Sequence, residues 1–147
     1  MMMIVEFNSL KPVKYLLYVL LLLCASCKEQ KPPQVTFDIP ALIGKNIDEV
    51  RKVLGKPLYH PIEPSNPKEE TFTNEFDKNG EYLSFYFNTK SRRISQIILI
   101  SSEEYDNIKG VMKIGNLTLT HTDDYDIESF NPFASTPPFN GIRIYTR

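Results

Sequence analysis

The chain has 147 residues, the usual size of one domain, and its 41% hydrophobic residues are enough to bury a core. Its 17 basic and 18 acidic residues give a formal net charge of −1, so a nucleic-acid partner is not expected. An apolar leader comes first, followed by a short polar stretch and then by a region of regular apolar spacing.

The N-terminal region has the composition of a bacterial signal peptide. Lys11 and Lys14 precede an apolar run from Tyr15 to Leu23, which is followed by small residues. The stretch from Tyr15 to Ala25 has about eleven residues and would be about 16 Å long as a helix, whereas a bilayer core is about 30 Å thick. The run is therefore predicted to be a cleaved leader, not a membrane span.

The end of this leader carries a cysteine motif. Leu23-Cys24-Ala25-Ser26-Cys27 resembles the lipobox of bacterial lipoproteins, in which small residues precede a cysteine that is diacylated before cleavage on its amino side. The resemblance implies cleavage of residues 1–26 and attachment to a membrane through lipid on Cys27. Two or three acyl chains, at about 0.8 kcal/mol for each buried methylene, would anchor the protein permanently. A Cys-x-x-Cys redox or metal pair is the alternative.

The residues after Cys27 bear on sorting. Lys28 follows where inner-membrane lipoproteins have aspartate, which resembles sorting to the outer membrane of Gram-negative cells. Lys28-Glu29-Gln30 also resembles a lysine-plus-acidic signal for display at the cell surface. Residues 27–38 are polar, contain two prolines and lack a helical period, so they are predicted to form a flexible tether. One α+β domain is expected over residues 39–147.

Two short helices are predicted in this domain. Asn46 and Glu49 have the spacing of a capping box, and Gly55 ends a helix confined to about 47–54. A second capping signal at Ser102–Tyr105 predicts another helix of two or three turns.

Three strands are predicted after each helix from the alternation of apolar and polar residues. They cover residues 71–76, 81–87 and 93–100, and then 117–120, 125–130 and 141–145. In the strand predicted over residues 81–87, Leu83, Phe85 and Phe87 fall on one face, and Tyr82 and Tyr86 fall on the other. The predicted fold is α+β, with two helices packed on one side of antiparallel strands in a tandem helix-plus-three-strand arrangement. It leaves open whether the strands form one sheet or two.

The stretch from Leu42 to Pro57 adds a family resemblance. It resembles the opening of small envelope lipoproteins related to the small subunit of the β-barrel assembly complex, which share a fold with the β-lactamase-inhibitor protein. In that family a short helix ending in Leu-Gly-x-Pro leads into an antiparallel sheet, and the members bind other proteins. The resemblance implies the same fold and a noncatalytic role in protein interaction.

Catalytic and cofactor motifs are absent from the sequence, so an enzyme is not expected and no cofactor is predicted. The segment His121-Thr-Asp-Asp-Tyr-Asp126 contains ligands for a divalent cation, but it lacks the spacing of a calcium-binding loop. We interpret it as a solvated acidic turn between strands and predict no metal. His60 lies in a proline-rich loop without a nucleophile motif nearby.

Aromatic residues are the candidates for partner binding. Tyr82 and Tyr86, together with Phe72 and Phe76 if the strand registers agree, would make an aromatic sheet face of the kind enriched at interfaces. The alternative is a second packed layer of the core. The long connection before the last strand adds two further aromatics. The predicted partner-binding residues are Tyr82, Tyr86, Phe133 and Phe139.

These features together predict a lipid-anchored lipoprotein of the bacterial envelope, in the outer membrane and displayed at the surface. Its domain is expected to act as a noncatalytic protein-interaction module. The alternative is an accessory lipoprotein that binds a peptide, a glycan or a small molecule, which predicts a concave pocket with convergent polar groups. A hydrolase is the third hypothesis and needs a histidine within reach of a carboxylate and a hydroxyl.

Overall fold

The computed structural model describes residues 32–59, 63, 64, 66, 68–130 and 138–147. Over these residues the chain forms two helices, α1 (Ile47–Leu54) and α2 (Ile108–Ile114). Its strands are β1 (Thr71–Lys78), β2 (Glu81–Asn88), β3 (Ile94–Tyr105), β4 (Tyr125–Ser129) and β5 (Phe139–Thr146). The strands pair in an antiparallel manner in one sheet, in the order β1-β2-β3-β5-β4. The mixed α+β fold class is confirmed, and the sheet is continuous.

The tandem arrangement is wrong in its second half, because the strand predicted over 117–120 does not form. The Leu117 N–H donates back to the Met112 carbonyl at 2.9 Å, which closes the end of α2. Leu117 is buried in the core, but Leu119, which would share its face in a strand, is 59% exposed, so the stretch has no continuous buried face. Three strands follow α1, and two follow α2 among the described residues.

Helix α1 forms where the capping signal predicts it. The Asn46 Oδ1 accepts hydrogen bonds from the N–H groups of Asp48 and Glu49 at 3.0 and 3.1 Å. The Glu49 carboxylate accepts from the Asn46 N–H at 2.9 Å, which completes the capping box. Gly55, with φ 89°, ends the helix in a conformation that favours glycine.

Helix α2 begins later than predicted. Strand β3 continues through Tyr105, and the helix is capped by Asn107, whose Oδ1 accepts from the Lys109 N–H at 3.1 Å. The Tyr105 ring packs against Gly110, where an added Cβ would lie 2.3 Å from the ring. The glycine in the middle of α2 therefore makes room for a core tyrosine.

One sheet face and both helices contribute to a single apolar cluster. From the sheet, the cluster includes Phe72, Phe76, Leu83, Phe85, Phe87, Ile97, Leu99, Ile142 and Ile144. From the helices, it includes Ile47, Val50, Val111, Met112 and Ile114. We call this side of the sheet the core face. On it, the Phe76 and Phe85 rings meet edge to face with their centroids 5.8 Å apart.

The packed fold begins before residue 39. Phe37 is 3% exposed, and the N–H groups of Thr36 and Phe37 donate to the Ile114 carbonyl at 2.9 and 3.0 Å. The Lys78 Nζ donates to the Thr36 carbonyl at 3.1 Å. Residues 36–38, which the sequence placed in the tether, therefore belong to the domain. In the part of the chain that the structure describes, neither helix is long and apolar enough to cross a membrane.

Candidate functional site

The sheet side opposite the core face carries three tyrosines. In β2, Tyr82 and Tyr86 alternate with the core residues, and Tyr145 of β5 lies on the same side. We call this surface the tyrosine face. Its central residues are Tyr82, Ser84, Tyr86, Gln96, Ile98, Ile100, Arg143 and Tyr145.

Strand register aligns the tyrosine face in rows that run across the strands. One row consists of Thr73, Tyr86, Gln96, Tyr145 and Asp126. The next consists of Glu75, Ser84, Ile98, Arg143 and Glu128. The last consists of Asp77, Tyr82, Ile100 and Gly141. Opposed side chains on neighbouring strands lie about 5 Å apart, so each row is a continuous band.

Burial on the tyrosine face is greatest at its centre. Ser84 and Ile98 are 5% and 8% exposed, although neither belongs to the core cluster. Tyr82, Tyr86 and Tyr145 in the flanking rows are half-buried. The face thus has a buried centre, half-buried tyrosines in the rows that flank it, and carboxylates on its edge strands.

Phe72 and Phe76 do not join the tyrosines, contrary to the predicted aromatic face. Both pair with core-face residues of β2, and their side chains are 7% and 4% exposed. Thr73 and Asp77 stand opposite the two β2 tyrosines instead. Successive side chains of a strand alternate between faces, so the phenylalanines would need a one-residue slip to reach the tyrosine face.

The surroundings of the Tyr82 hydroxyl raise its pKa. Burial raises the pKa of Tyr82, and the Glu75 carboxylate, which accepts a hydrogen bond from the hydroxyl, raises this pKa further. The hydroxyl therefore stays protonated, and able to donate, to a higher pH than an ordinary tyrosine. On β5, the Tyr145 hydroxyl accepts from Arg143 Nη1 at 3.3 Å.

Arg143 of the tyrosine face also contacts Phe130. Its guanidinium is 4.9 Å from the centroid of the Phe130 ring, within the range of a cation–π contact. The Phe130 N–H donates to the Gly141 carbonyl at 2.8 Å. An added Cβ at Gly141 would lie 2.5 Å from the Phe130 carbonyl oxygen, so this position needs glycine.

The segment after α1 extends the tyrosine face beyond the edge strand β1. The Leu58 N–H donates to the Glu75 carbonyl at 2.8 Å, which places this backbone beside β1. Leu58 and Tyr59 are 47% and 67% exposed. Sequence reasoning missed both residues, because they lie in a proline-rich segment without a periodic pattern.

The remaining predicted partner-binding residues lie elsewhere. Phe139 opens β5 opposite Tyr105 and is half-buried, so it stands at the end of the sheet and not within the tyrosine rows. Phe133, Cys27 and His60 lie outside the described residues.

The acidic turn before β4 forms a surface ion-pair cluster. The Asp126 carboxylate accepts hydrogen bonds from Arg147 Nη2 at 2.7 Å and Nε at 3.2 Å, and it also contacts His121 Nδ1. The Arg147 hydrogen bond and, secondly, the His121 contact lower the pKa of Asp126. Within the described ranges, no group of three or more His, Cys, Asp or Glu side chains is placed to hold a metal ion.

A second charged cluster joins α1 to the segment that follows it. Glu63 Oε1 accepts from Arg51 Nη1 at 2.7 Å, and its Oε2 accepts from Arg92 Nη1 at 2.8 Å. Arg51 Nε also donates to Oδ1 of Asn74, which is 2% exposed on β1. Arg92 and then Arg51 hold the pKa of Glu63 down at about 2. The cluster ties α1, β1 and the β2–β3 turn together.

Comparisons of the chain with models of protein families, with curated proteins and with solved structures found no match. The lipobox resemblance at Cys27 and the family resemblance over Leu42–Pro57 stay predictions. The function proposed below therefore rests on the sequence of the leader and on the chemistry of the tyrosine face.

Proposed function

We propose that this protein is a lipid-anchored lipoprotein of the bacterial envelope, in the outer membrane, whose α+β domain binds a protein partner through the tyrosine face. The leader and the lipobox-like sequence ending in Cys27 support the anchor. Lys28 supports outer-membrane sorting, and Lys28-Glu29-Gln30 supports display at the surface. The domain acts by binding and not by catalysis.

The composition of the tyrosine face carries this proposal. Tyrosine combines a large apolar ring with a hydrogen-bonding hydroxyl and is enriched at protein interfaces. Tyr82, Tyr86 and Tyr145 lie in the rows that flank Ile98 at the centre of the face, and carboxylates occupy the edge strands. An apolar centre with a polar rim is the usual arrangement of a protein-binding surface.

The position of the helices supports the same role. Both helices contribute apolar side chains to the cluster that includes the core face. The tyrosine face then remains available to a partner, because an antiparallel sheet can present one side outward while the other packs on the core. Tyr82 and Tyr86 keep part of their surface in contact with solvent.

Substitution of the two leader cysteines tests the anchor. Cells that express the full chain are labelled with a palmitate analogue, and the membrane and soluble fractions are compared. Cys27→Ser is expected to abolish labelling and to leave either unprocessed precursor or released protein. Cys24→Ser is the matched control and is expected to be labelled like the wild type. Equal labelling of Cys27→Ser would contradict the anchor.

Site-specific photo-crosslinking tests the interaction. A photoreactive phenylalanine replaces Tyr86 on the tyrosine face or, as a control, the exposed Lys109 of α2. After irradiation of intact cells, position 86 is expected to give a discrete protein adduct that position 109 does not give. No adduct at position 86, or the same adduct at both positions, would contradict the proposal.

A further inference from the structure

Resting on the proposed function, we infer that the β1 end of the tyrosine face binds an extended, basic segment of its protein partner. The residues of this acidic tyrosine patch are Leu58, Tyr59, Glu75, Asp77, Tyr82 and Tyr86. In the complex, lysine or arginine side chains from the partner form ion pairs with the carboxylates of Glu75 and Asp77. The methylene groups of these side chains pack on the tyrosine rings.

Two carboxylates stand together at the rim of the patch. Glu75 and Asp77 are two residues apart on β1, so both side chains point to the tyrosine face, and Asp77 is directly opposite Tyr82. In the described part of the chain, neither carboxylate forms an ion pair with lysine or arginine. The neighbouring Lys78 directs its amine to the Thr36 carbonyl instead. The patch therefore has negative charge available to a cationic partner.

The cations elsewhere on the tyrosine face are too distant to neutralise this charge. Arg143 lies on β5, three strands from β1, which is about 14 Å at the usual strand spacing. That separation exceeds the screening length of about 8 Å at physiological ionic strength. At the other edge of the sheet, Arg147 is bound to Asp126. The acidic and basic parts of the face are thus separate.

The aromatic side chains of the patch suit the same ligand. Lysine ammonium and arginine guanidinium groups bind over aromatic rings as well as beside carboxylates. Tyr59 is 67% exposed beside β1 and lies near enough to the half-buried Tyr82 to influence the pKa of its hydroxyl. The Glu75 carboxylate lies near enough to the Tyr82 hydroxyl to raise its pKa by hydrogen bonding, so a carboxylate and an aromatic ring are neighbours here. Leu58, at 47% exposed, offers apolar contact to the methylene stems.

The dimensions of the face favour a segment over a folded domain. The tyrosine face is five strands wide and three rows deep, with the rows two residues apart, which gives a surface of roughly 400 Å². This is about half of the roughly 800 Å² that each partner contributes to a standard interface. The acidic tyrosine patch occupies only the β1 end of this surface, so it suits a short extended segment, in which each residue adds about 3.3 Å.

The test is selection from a random peptide library. The purified full chain, held in detergent micelles, is immobilised and panned against displayed peptides of twelve random residues. The selected peptides are expected to be enriched in lysine and arginine. The strongest one is then synthesised, and its binding is measured against wild type, Glu75→Gln/Asp77→Asn and the control Asp123→Asn/Asp124→Asn. The control removes the same charge from the turn before β4, beyond the other edge strand.

Loss of the two patch carboxylates is expected to weaken peptide binding about tenfold, as for two modest surface ion pairs. The control variant is expected to bind within about twofold of wild type, and added salt should weaken binding to the wild type. Enrichment of neutral or acidic peptides, absence of any enrichment, or equal binding by the two variants would overturn the inference. The photo-crosslink at Tyr86 does not depend on partner charge. If the inference fails but the crosslink at position 86 still forms, the proposed function is retained. If no crosslink forms, both the proposed function and the inference are contradicted.

Discussion

Glu63 is expected to hold the segment after α1 in place, and Glu63→Gln should lower the free energy of unfolding by about 1 kcal/mol at pH 7. The structural basis is its double ion pair, with one carboxylate oxygen bound to Arg51 and the other to Arg92. Glutamine keeps the size of the side chain but loses its charge and one acceptor. The change therefore tests the ion pairs with little effect on packing.

The magnitude follows from the pKa of Glu63, which the arginines lower from 4.5 to about 2. In a site shielded from solvent, this difference would correspond to about 3 kcal/mol of stability. The Glu63 side chain is 47% exposed, so water and salt screen the charges and reduce the contribution to about 1 kcal/mol. Because folding lowers this pKa, the contribution is fully present above pH 4.5 and is lost as the pH falls toward 2.

Urea denaturation of wild type and Glu63→Gln at pH 7 and pH 3 measures this effect. At pH 3 the difference between the two proteins should fall to less than half of its value at pH 7. Glu69→Gln, at an exposed position in the same segment, is the matched control. Equal destabilisation by the two substitutions at pH 7, or a difference that does not change with pH, would refute the reasoning.

Three further substitutions test the fold. Phe85→Ala should lower the free energy of unfolding, measured by urea denaturation, by about 4 kcal/mol, because the ring is fully buried. Tyr86→Ala should lower it clearly less, because Tyr86 is half-buried. Equal losses would contradict the assignment of the two faces. Gly110→Ala should lower the free energy of unfolding by about 2 kcal/mol, since the new methyl group clashes with the Tyr105 ring. An unchanged melting temperature would contradict this packing. Burial raises the pKa of Glu81 in the folded protein, so protonation of this carboxylate favours folding at low pH. This contribution is lost as the pH rises through the pKa of Glu81 in the folded state. Glu81→Gln should therefore be more stable than wild type at pH 8 but not at pH 4, and a constant difference would contradict the burial of this carboxylate.

Local signals in the sequence predict much of this fold. The capping box at Asn46 and Glu49 and the glycine at 55 give α1 its observed bounds, because both ends depend on nearby residues alone. The strict alternation in β2 likewise separates the core side chains from Tyr82 and Tyr86.

The errors arise where backbone hydrogen bonds that the apolar pattern does not reveal decide the structure. Alternation over 117–120 predicts a strand, but the Leu117 N–H is used to close α2. Residues 36–38 look polar and irregular, yet pairing with Ile114 buries Phe37. The start of α2 shifts because pairing with β5 extends β3 through Tyr105.

The candidate site is less predictable from sequence than the fold. Tyr82 and Tyr86 share a face by alternation alone, but the residues that surround them depend on strand order and register. The predicted companions, Phe72 and Phe76, lie on the core face. Leu58 and Tyr59 reach the site through a single backbone hydrogen bond from Leu58 to β1, which no local pattern indicates.

The central claim is that the tyrosine face binds a protein partner, and affinity capture from the native envelope tests it most directly. The wild-type lipidated protein is captured beside Tyr82→Ala/Tyr86→Ala and the control Leu119→Ala, which removes an exposed apolar side chain outside the sheet. The protein that is crosslinked at position 86 should co-purify with wild type and with the control, and should be lost from the double variant. Equal recovery of that protein by the double variant, once its folding is verified, would contradict the account.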